Sequence, residues 1–354
     1  MIGRTVAAAA RTRSAGALVD LLERATSADA RRLVVLTYHR VDAASSRDEL
    51  YPGLISATPA EFAAQMAHVA SELHAISLDE LLAIRAGRSR LVPGSVVISF
   101  DDAYRDVVEH AAPVLARHGL PSIMFVPSAY PDVPESAFWW DRLHAALQAA
   151  PLPVQLATVR GRLRIARRAE LPATFRRLAS VIKQMPHVAA MRLVDELLTQ
   201  LPAVPPPHAV AGWDELRRLP DGGMALAPHS HTHARLDRLD PDALREELGR
   251  PLAVFREQLG SEAPPVLAYP DGAHNDAVVQ AAARAGYRIG FTTRRGTNPI
   301  RGIDWLRVRR INVGGRSSLA LIRAQLLVAR RLGAGRGRTQ QLMTDAAEEA
   351  TTWN

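Results

Sequence analysis

Residues 227–236 read APHSHTHARL and place His229, His231 and His233 within five positions. On a strand, alternation would put all three imidazoles on one face. On a helical turn only the outer pair, four apart, would share a face. A lone histidine is more often packed or solvated than ligating, but three so close together point to a metal. Upstream, Asp101 and Asp102 directly follow the run SVVISF. Neighbouring residues on a strand face opposite ways, so both carboxylates reach one site only where the strand has ended. Such a pair can divide labour, one carboxylate holding a metal and the other moving a proton. The plainer alternative is a helix N-cap beside a solvated partner. Two histidines and a carboxylate, with positions left for water, form the pattern of a hydrolytic zinc-type centre, where the metal lowers the pKa of bound water and polarises a scissile carbonyl. The residues alone therefore reach metal-assisted hydrolysis at a strand-end pocket, and no further.

A scaffold must bring those groups together. RLVVLTYHRV (32–41), SVVISFDDAY (95–104) and PSIMFVPSAY (121–130) are β-branched or apolar runs ending in polar residues, as buried strands do. Between them lie helical patterns. TPAEFAAQMAHVASEL has Thr58 as N-cap, Pro59 at the first helical position and Glu61 completing a capping box, and ISLDELLAIRAG repeats the signal with Ser77 and Glu80. A helix around 106–118 should stop at Gly119. Strand and helix in alternation, with short connections, argue for parallel α/β architecture. Residues 141–201 change character, being rich in Arg, Ala and Leu at helical spacing, and read as a helical insertion closed by the Pro-rich LPAVPPPHAV. The alternation then resumes as far as the strand WLRVRRINV (305–313), followed by the basic amphipathic stretch SSLALIRAQLLVARRL. About seven strands are expected, hence a barrel or an open parallel sheet with its chemistry at the C-terminal strand ends. The organisation expected is a helical leader (1–32), a barrel in two parts (33–140 and 211–315) separated by the insertion and linker (141–210), and a basic helix with a disordered tail (316–354).

Composition sets broader bounds. The 354 residues are 47% hydrophobic and 23% charged, ordinary for a globular protein. The absence of cysteine excludes disulfides and any thiolate zinc site. The net charge of +8 comes mainly from arginine, which fits a generally basic composition, a polyanion or an anionic membrane surface. The arginines are scattered and not interleaved with aromatics, so no nucleic-acid partner is expected. The first 25 residues lack the long apolar core of a secretory signal, and no uncharged run is long enough to span a bilayer. The expectation is a cytoplasmic protein, with peripheral membrane contact through the basic C-terminal stretch or that stretch docked on its own domain.

Taken in order, SFDDAYRD, HSHTH and AYPDG resemble the polysaccharide deacetylase family, the NodB-homology domain of carbohydrate esterase family 4. TYHRV and FWWDRL resemble the circularly permuted branch most closely. The resemblance runs from about residue 33 to 315 and implies a distorted (β/α)7 barrel that removes N-acetyl groups from an N-acetylated or lipid-linked sugar. It implies a divalent metal, with zinc favoured and cobalt or nickel also suited to the ligands. On this resemblance Asp101 is the general base, Asp102, His229 and His233 are the ligands, and Ser230 is the motif hydroxyl. His231 falls between the ligands as a supporting residue. The general acid, a late histidine in many members, falls to His39 of LTYHRV, with His274 as the reserve.

The departures from the family pattern are specific. In AYPDG an aromatic residue normally precedes the glycine, and a backbone N–H there steadies the oxyanion. Here Tyr269, Pro270 and Asp271 occupy the region, and a carboxylate pointing inward would oppose a developing anion. The arginine that pairs with the base is missing from this motif; Arg309 or Arg307 of the last strand could replace it, or lie on that strand's outer face. Ser99 stands for threonine, Ala103 for glycine, and Pro228 precedes the first ligand. Phe138, Trp139 and Trp140 stand out in a chain with 5% aromatics, either stacking on a sugar or packing a hinge. A reading from a different class is a catalytically degenerate member that binds glycan without turnover.

Overall fold

The computed structural model describes residues 32–331 except 44–48, 134–136, 160, 206–208 and 316. The expected leader and tail therefore lie outside the described residues. Seven strands form the central sheet: β1 (Arg32–Tyr38), β2 (Ser95–Phe100), β3 (Ser122–Val126), β4 (Met224–Pro228), β5 (Val266–Ala268), β6 (Ile289–Arg295) and β7 (Val308–Asn312). Their order is β5-β6-β7-β1-β2-β3-β4, all pairs parallel. Neighbours are consecutive members of the seven, with β7 returning to pair with β1, and the sheet curls until its two edges, β4 and β5, come alongside without sharing a ladder. The expected distorted (β/α)7 barrel is what the chain forms.

Strand parity decides what faces the barrel axis. Leu33, Val35, Val97, Ile123, Phe125, Ala227, Val266, Ala268, Ile289, Phe291 and Val308 share one core drawn from all seven strands. The alternate residues Val34, Leu36 and Tyr38 pack outward in a second core against helices. Because both faces are covered, β2 is buried along its whole length, which is why its sequence is a continuous apolar run rather than an alternation.

The helices are α1 (Pro59–Glu72), α2 (Leu78–Arg85), α3 (Ala112–His118), α4 (Trp139–Ala149), α5 (Leu171–Gln184), α6 (His187–Leu198), α7 (Pro241–Leu259), α8 (Asp276–Arg284) and α9 (Leu319–Arg331). The expected caps form: Thr58 and Glu61 make a reciprocal capping box, the Ser77 hydroxyl accepts the Glu80 N–H, and Gly119 ends α3 in the left-handed region at φ 60°. No described helix is long and apolar enough to cross a membrane. Ile322 and Leu326 of α9 are buried in the outer core, so that face of the basic helix is docked on the barrel.

The insertion differs from its all-helical expectation. Between α4 and α5 lies an antiparallel hairpin, Val154–Thr158 with Gly161–Ile165. Its second strand alternates Arg162, Leu163, Arg164 and Ile165, and five residues of period two are too few to stand out within an Arg- and Leu-rich helical stretch. Phe175, Ala179 and Lys183 of α5 line the mouth of the barrel, so the insertion roofs the strand ends where the chemistry was expected.

Candidate active site

Asp102, His229 and His233 converge there, with one donor atom from each within 4.8 Å of the others. β4 ends at Pro228, and the HSHTH segment is neither strand nor helix. Ser230 and His233 adopt left-handed backbone, φ 61° and 58°, and this coiling brings two imidazoles four apart to one point. Glu247 of α7 pins the loop by accepting the His231 N–H, the Thr232 N–H and the Thr232 hydroxyl. His231 turns away, its Nδ1 bonded to the Ser128 hydroxyl at 2.9 Å. The triplet therefore splits into a converging pair and a third ring directed elsewhere.

The arrangement has the dimensions of a cation site. His233 Nε2 and His229 Nε2 stand 3.1 and 3.4 Å from Asp102 Oδ1. Two donors held about 2.1 Å from one ion at a tetrahedral angle lie roughly 3.4 Å apart. Asp102 Oδ1 is buried and has no hydrogen-bond partner among the described residues, an orphan that a cation would satisfy. His229 donates Nδ1–H to the Ala268 carbonyl at 2.8 Å, which fixes its tautomer and leaves Nε2 for a ligand. Burial would raise the Asp102 carboxyl, but the facing imidazoles outweigh it and hold the group well below the usual carboxylate range.

Asp101 occupies the inner-face position that follows Val97 and Ser99. Arg310 of β7 grips it with both terminal nitrogens, Nη1 at 2.8 Å and Nη2 at 2.7 Å, and anchors its own Nε–H on the Thr292 carbonyl at 2.8 Å. Burial pushes the Asp101 carboxyl up, and Arg310 more than reverses it, keeping the group ionised. The arginine beside the expected base is therefore Arg310, not Arg309 or Arg307. Arg310 shares the inward parity of Val308, whereas Arg309 falls on the outer face and Arg307 pairs with Asp304 and Asp276. His39, leaving β1 on the same inner parity, brings Nε2 to 3.9 Å from Asp101 Oδ2. Burial lowers its pKa against the pull of both aspartates, which favours the neutral ring.

These groups line one cleft of about 550 Å³ together with Tyr51, Leu54, Trp139, Trp140, Phe175, Lys183 and Asp271. Asp271 does face inward, but Lys183 reaches from α5 to donate to its Oδ1 at 2.7 Å. Burial would raise that carboxyl, and Lys183 holds it below its ordinary value. Tyr269 and Pro270 are buried and do not line the cleft. The Tyr269 hydroxyl bonds the Leu306 carbonyl, and its ring stacks on His274 at 5.4 Å. His274 likewise stays outside, with Nδ1 on the Gly272 carbonyl. Of the aromatic trio, Phe138 and Trp140 stack 4.4 Å apart beneath His233, and Trp140 donates Nε1–H to Tyr104. Trp139 is half-buried at the cleft. Ser230 is fully buried, with its hydroxyl unpartnered among the described residues.

Six described non-glycine residues have positive φ, and five of them, Asp102, Ala103, Ser230, His233 and Asp271, belong to these loops. Ala103 at φ 54° occupies a conformation that costs a side-chain-bearing residue about 1 kcal/mol or more and glycine nothing. Strain of this kind concentrates where geometry is imposed by function. Sequence reasoning missed Arg310, Lys183 and Tyr51. The inward parity of Val308 could have found the first; no local signal marks the other two.

Comparison with known proteins identifies the family and the fold. Residues 89–290 match the family model described as polysaccharide deacetylase. The solved deacetylase PplD of Streptococcus pyogenes, in complex with acetate, superposes with a TM-score of 0.58 at 17% identity, covering 83% of this chain and 98% of that one. IcaB of Ammonifex degensii gives 0.53 at 19%, covering 85% and 100%. At these identities the likeness is one of fold. A Bacillus subtilis protein, YxkH, named as a polysaccharide deacetylase, is 24% identical over 83 residues, 23% of this chain and only 29% of that relative's length.

Proposed function

Because the chain belongs to the polysaccharide deacetylase family, we propose that it is a metal-dependent hydrolase that removes acetyl groups from an N-acetylated glycan. The observation that carries this reading is the convergence of Asp102, His229 and His233 on one point, with Asp101 and His39 paired beside it in the same cleft. Asp102, His229 and His233 would hold a divalent metal, zinc fitting the donor set and cobalt or nickel also suiting it. When bound, that ion supplies Lewis-acid polarisation of the acetyl carbonyl and a water of lowered pKa. Asp101, kept ionised by Arg310, accepts the proton released as water adds to the carbonyl. His39 stands where the departing amine must collect a proton. A backbone N–H near Asp271 would steady the oxyanion, and Lys183 offsets the carboxylate that would otherwise oppose it. Trp139 offers the half-exposed ring on which a sugar face can stack.

The test is acetate release from chito-oligosaccharides by metal-loaded protein, with metal content measured on the same sample. Release that chelation abolishes and metal restores is the expected outcome. Metal-loaded protein that binds such glycans without releasing acetate would overturn catalysis in favour of the degenerate, glycan-binding reading.

A further inference from the structure

The cleft continues in two directions. On the side of His39 it adjoins a groove of about 1200 Å³ and shares His39, Tyr51 and Leu54 with it. On the side of His233 it adjoins a pocket of about 610 Å³ and shares Trp139, Trp140, Lys183, His233 and Asp271. Groove and pocket have no described lining residue in common, so the reacting centre lies between them. Their characters differ. Pro52, Gly53, Gly314 and Gly315 of the groove are exposed, whereas every described residue lining the pocket is buried or half-buried.

Much of the pocket wall is apolar: Ala137 ahead of α4, Ile182 of α5, Met185 between α5 and α6, and Ala190 and Met191 of α6. Its charged residues are already engaged. Lys183 pairs with Asp271, Arg142 with Asp195, and Arg235 with Asp237 while donating to the Lys183 carbonyl. Burial lowers the pKa of His187 and favours its neutral ring. A group entering here meets aliphatic and thioether surface, and methionine side chains adapt readily to flexible apolar partners.

The chemistry of the cleft decides which part of a substrate points this way. The carbonyl carbon of an N-acyl sugar carries the amine on one side and the acyl chain on the other. His39 stands where the amine collects its proton, so the sugar lies toward the groove. The acyl chain diverges from the amine at the same carbon and runs toward His233 and the pocket. Acetyl has a single methyl beyond its carbonyl, whereas the pocket extends back to Ala190 and Met191, which do not line the cleft at all.

We propose that this pocket receives the acyl chain of the substrate, so that the protein removes unbranched N-acyl groups several carbons long as well as acetyl. The assignment rests on the hydrolase reading above, with His39 serving the amine. The step balances as simple hydrolysis: water adds to the acyl carbon, the C–N bond breaks with its electrons on nitrogen, and nitrogen takes a proton. A free fatty acid and an amino sugar are released.

Chitotriose carrying N-acetyl or N-butyryl groups tests this, with release of primary amine as the readout on metal-loaded protein. Burying a methylene is worth roughly fourfold, so kcat/KM for the butyryl probe should equal or exceed that for the acetyl one. A lower butyryl value overturns the proposal. Met191→Trp fills the pocket away from the cleft and should slow the butyryl probe about tenfold, leaving the acetyl probe within about twofold. Ala190→Leu narrows the same space and gives a second reading if Met191→Trp melts below wild type. Filling that slows both probes alike also overturns the proposal. Calorimetry with free hexanoate and acetate reads the pocket without turnover, and hexanoate should bind at least tenfold tighter. If neither chitotriose releases amine, the hydrolase reading fails and the hexanoate comparison alone decides the pocket. Amine from the acetyl probe alone keeps the hydrolase and sinks the pocket.

Discussion

Substituting Arg310 is the sharpest test of how the site is held. The guanidinium is fully buried, Asp101 is 2% exposed, and the two share a bidentate pair at 2.7 and 2.8 Å. Arg310→Gln removes the charge and both contacts and leaves a carboxylate buried against apolar strands. Breaking a buried pair from one side costs roughly 3–5 kcal/mol. In a chain of 354 residues each kcal/mol moves the melting temperature by about 1.3 °C, so a fall of roughly 4–7 °C is expected. Arg309→Gln provides the control one residue away: its side chain lies on the outer face without a carboxylate partner among the described residues, and surface changes of this kind stay within about 0.5 kcal/mol. The double variant Arg310→Gln/Asp101→Asn should recover much of the loss, because no buried charge is left alone, and the recovery measures the coupling directly. Calorimetric scans at pH 7 of wild type, Arg310→Gln, Asp101→Asn, the double variant and the Arg309→Gln control suffice. If Arg310→Gln and Arg309→Gln melt together, or the double variant loses the sum of the two single changes, the argument that Arg310 holds Asp101 in place is wrong.

Three further outcomes follow from the geometry. His231→Gln should leave bound metal intact by elemental analysis, while the same change at His229 or His233 should empty the site; equal loss in all three would mean that the loop has been misread. Lys183→Met should lower kcat/KM for acetate release about tenfold or more with little change in melting temperature, since it exposes the cleft to the unpaired Asp271 charge, and adding Asp271→Asn should restore the rate. Burial raises the Asp141 carboxyl to about 7, despite bonds from the Tyr51 N–H and the Tyr104 hydroxyl. A raised carboxyl means that the folded state binds more protons than the unfolded chain between about pH 4 and pH 7. Its stabilising contribution is complete below that window and is lost as pH rises through about 7. Wild type should therefore lose more stability between pH 5 and pH 8 than Asp141→Asn, in denaturant midpoints; identical slopes would dismiss the assignment.

The barrel was readable because its strands are buried on both faces and its helices begin with strong caps, signals that sit within a few consecutive residues. The cluster of Asp102, His229 and His233 was readable for the same reason, as HSHTH and DD are short and dense. Arg310 was not, because Arg309 and Arg310 differ only in strand parity, and parity is set by the ladder with β1 and β6. Lys183 lies 88 residues from the carboxylate it neutralises, and only the docking of the insertion over the barrel brings the two together. The conformation of HSHTH was not legible, being neither the strand nor the helical turn considered for it, since its convergence depends on left-handed backbone at Ser230 and His233, positions where glycine would have given the warning. The mixed character of FWWDRL resolves residue by residue: Phe138 and Trp140 pack, and Trp139 faces the cleft.

The open edge of the sheet gives the His229 hydrogen bond a second meaning. β4 and β5 meet where the ring has no ladder, and His229 leaves one edge to bond Ala268 on the other. The contact that orients the imidazole of this proposed ligand is thus also a clasp across the gap in the barrel. Opening of this edge and rotation of the His229 ring would each break that bond, so the bond couples the two, and by linkage the coupling acts equally in both directions. Breathing of the barrel at this edge would be felt first in the grip of the site, and an occupied site would in turn hold the barrel shut.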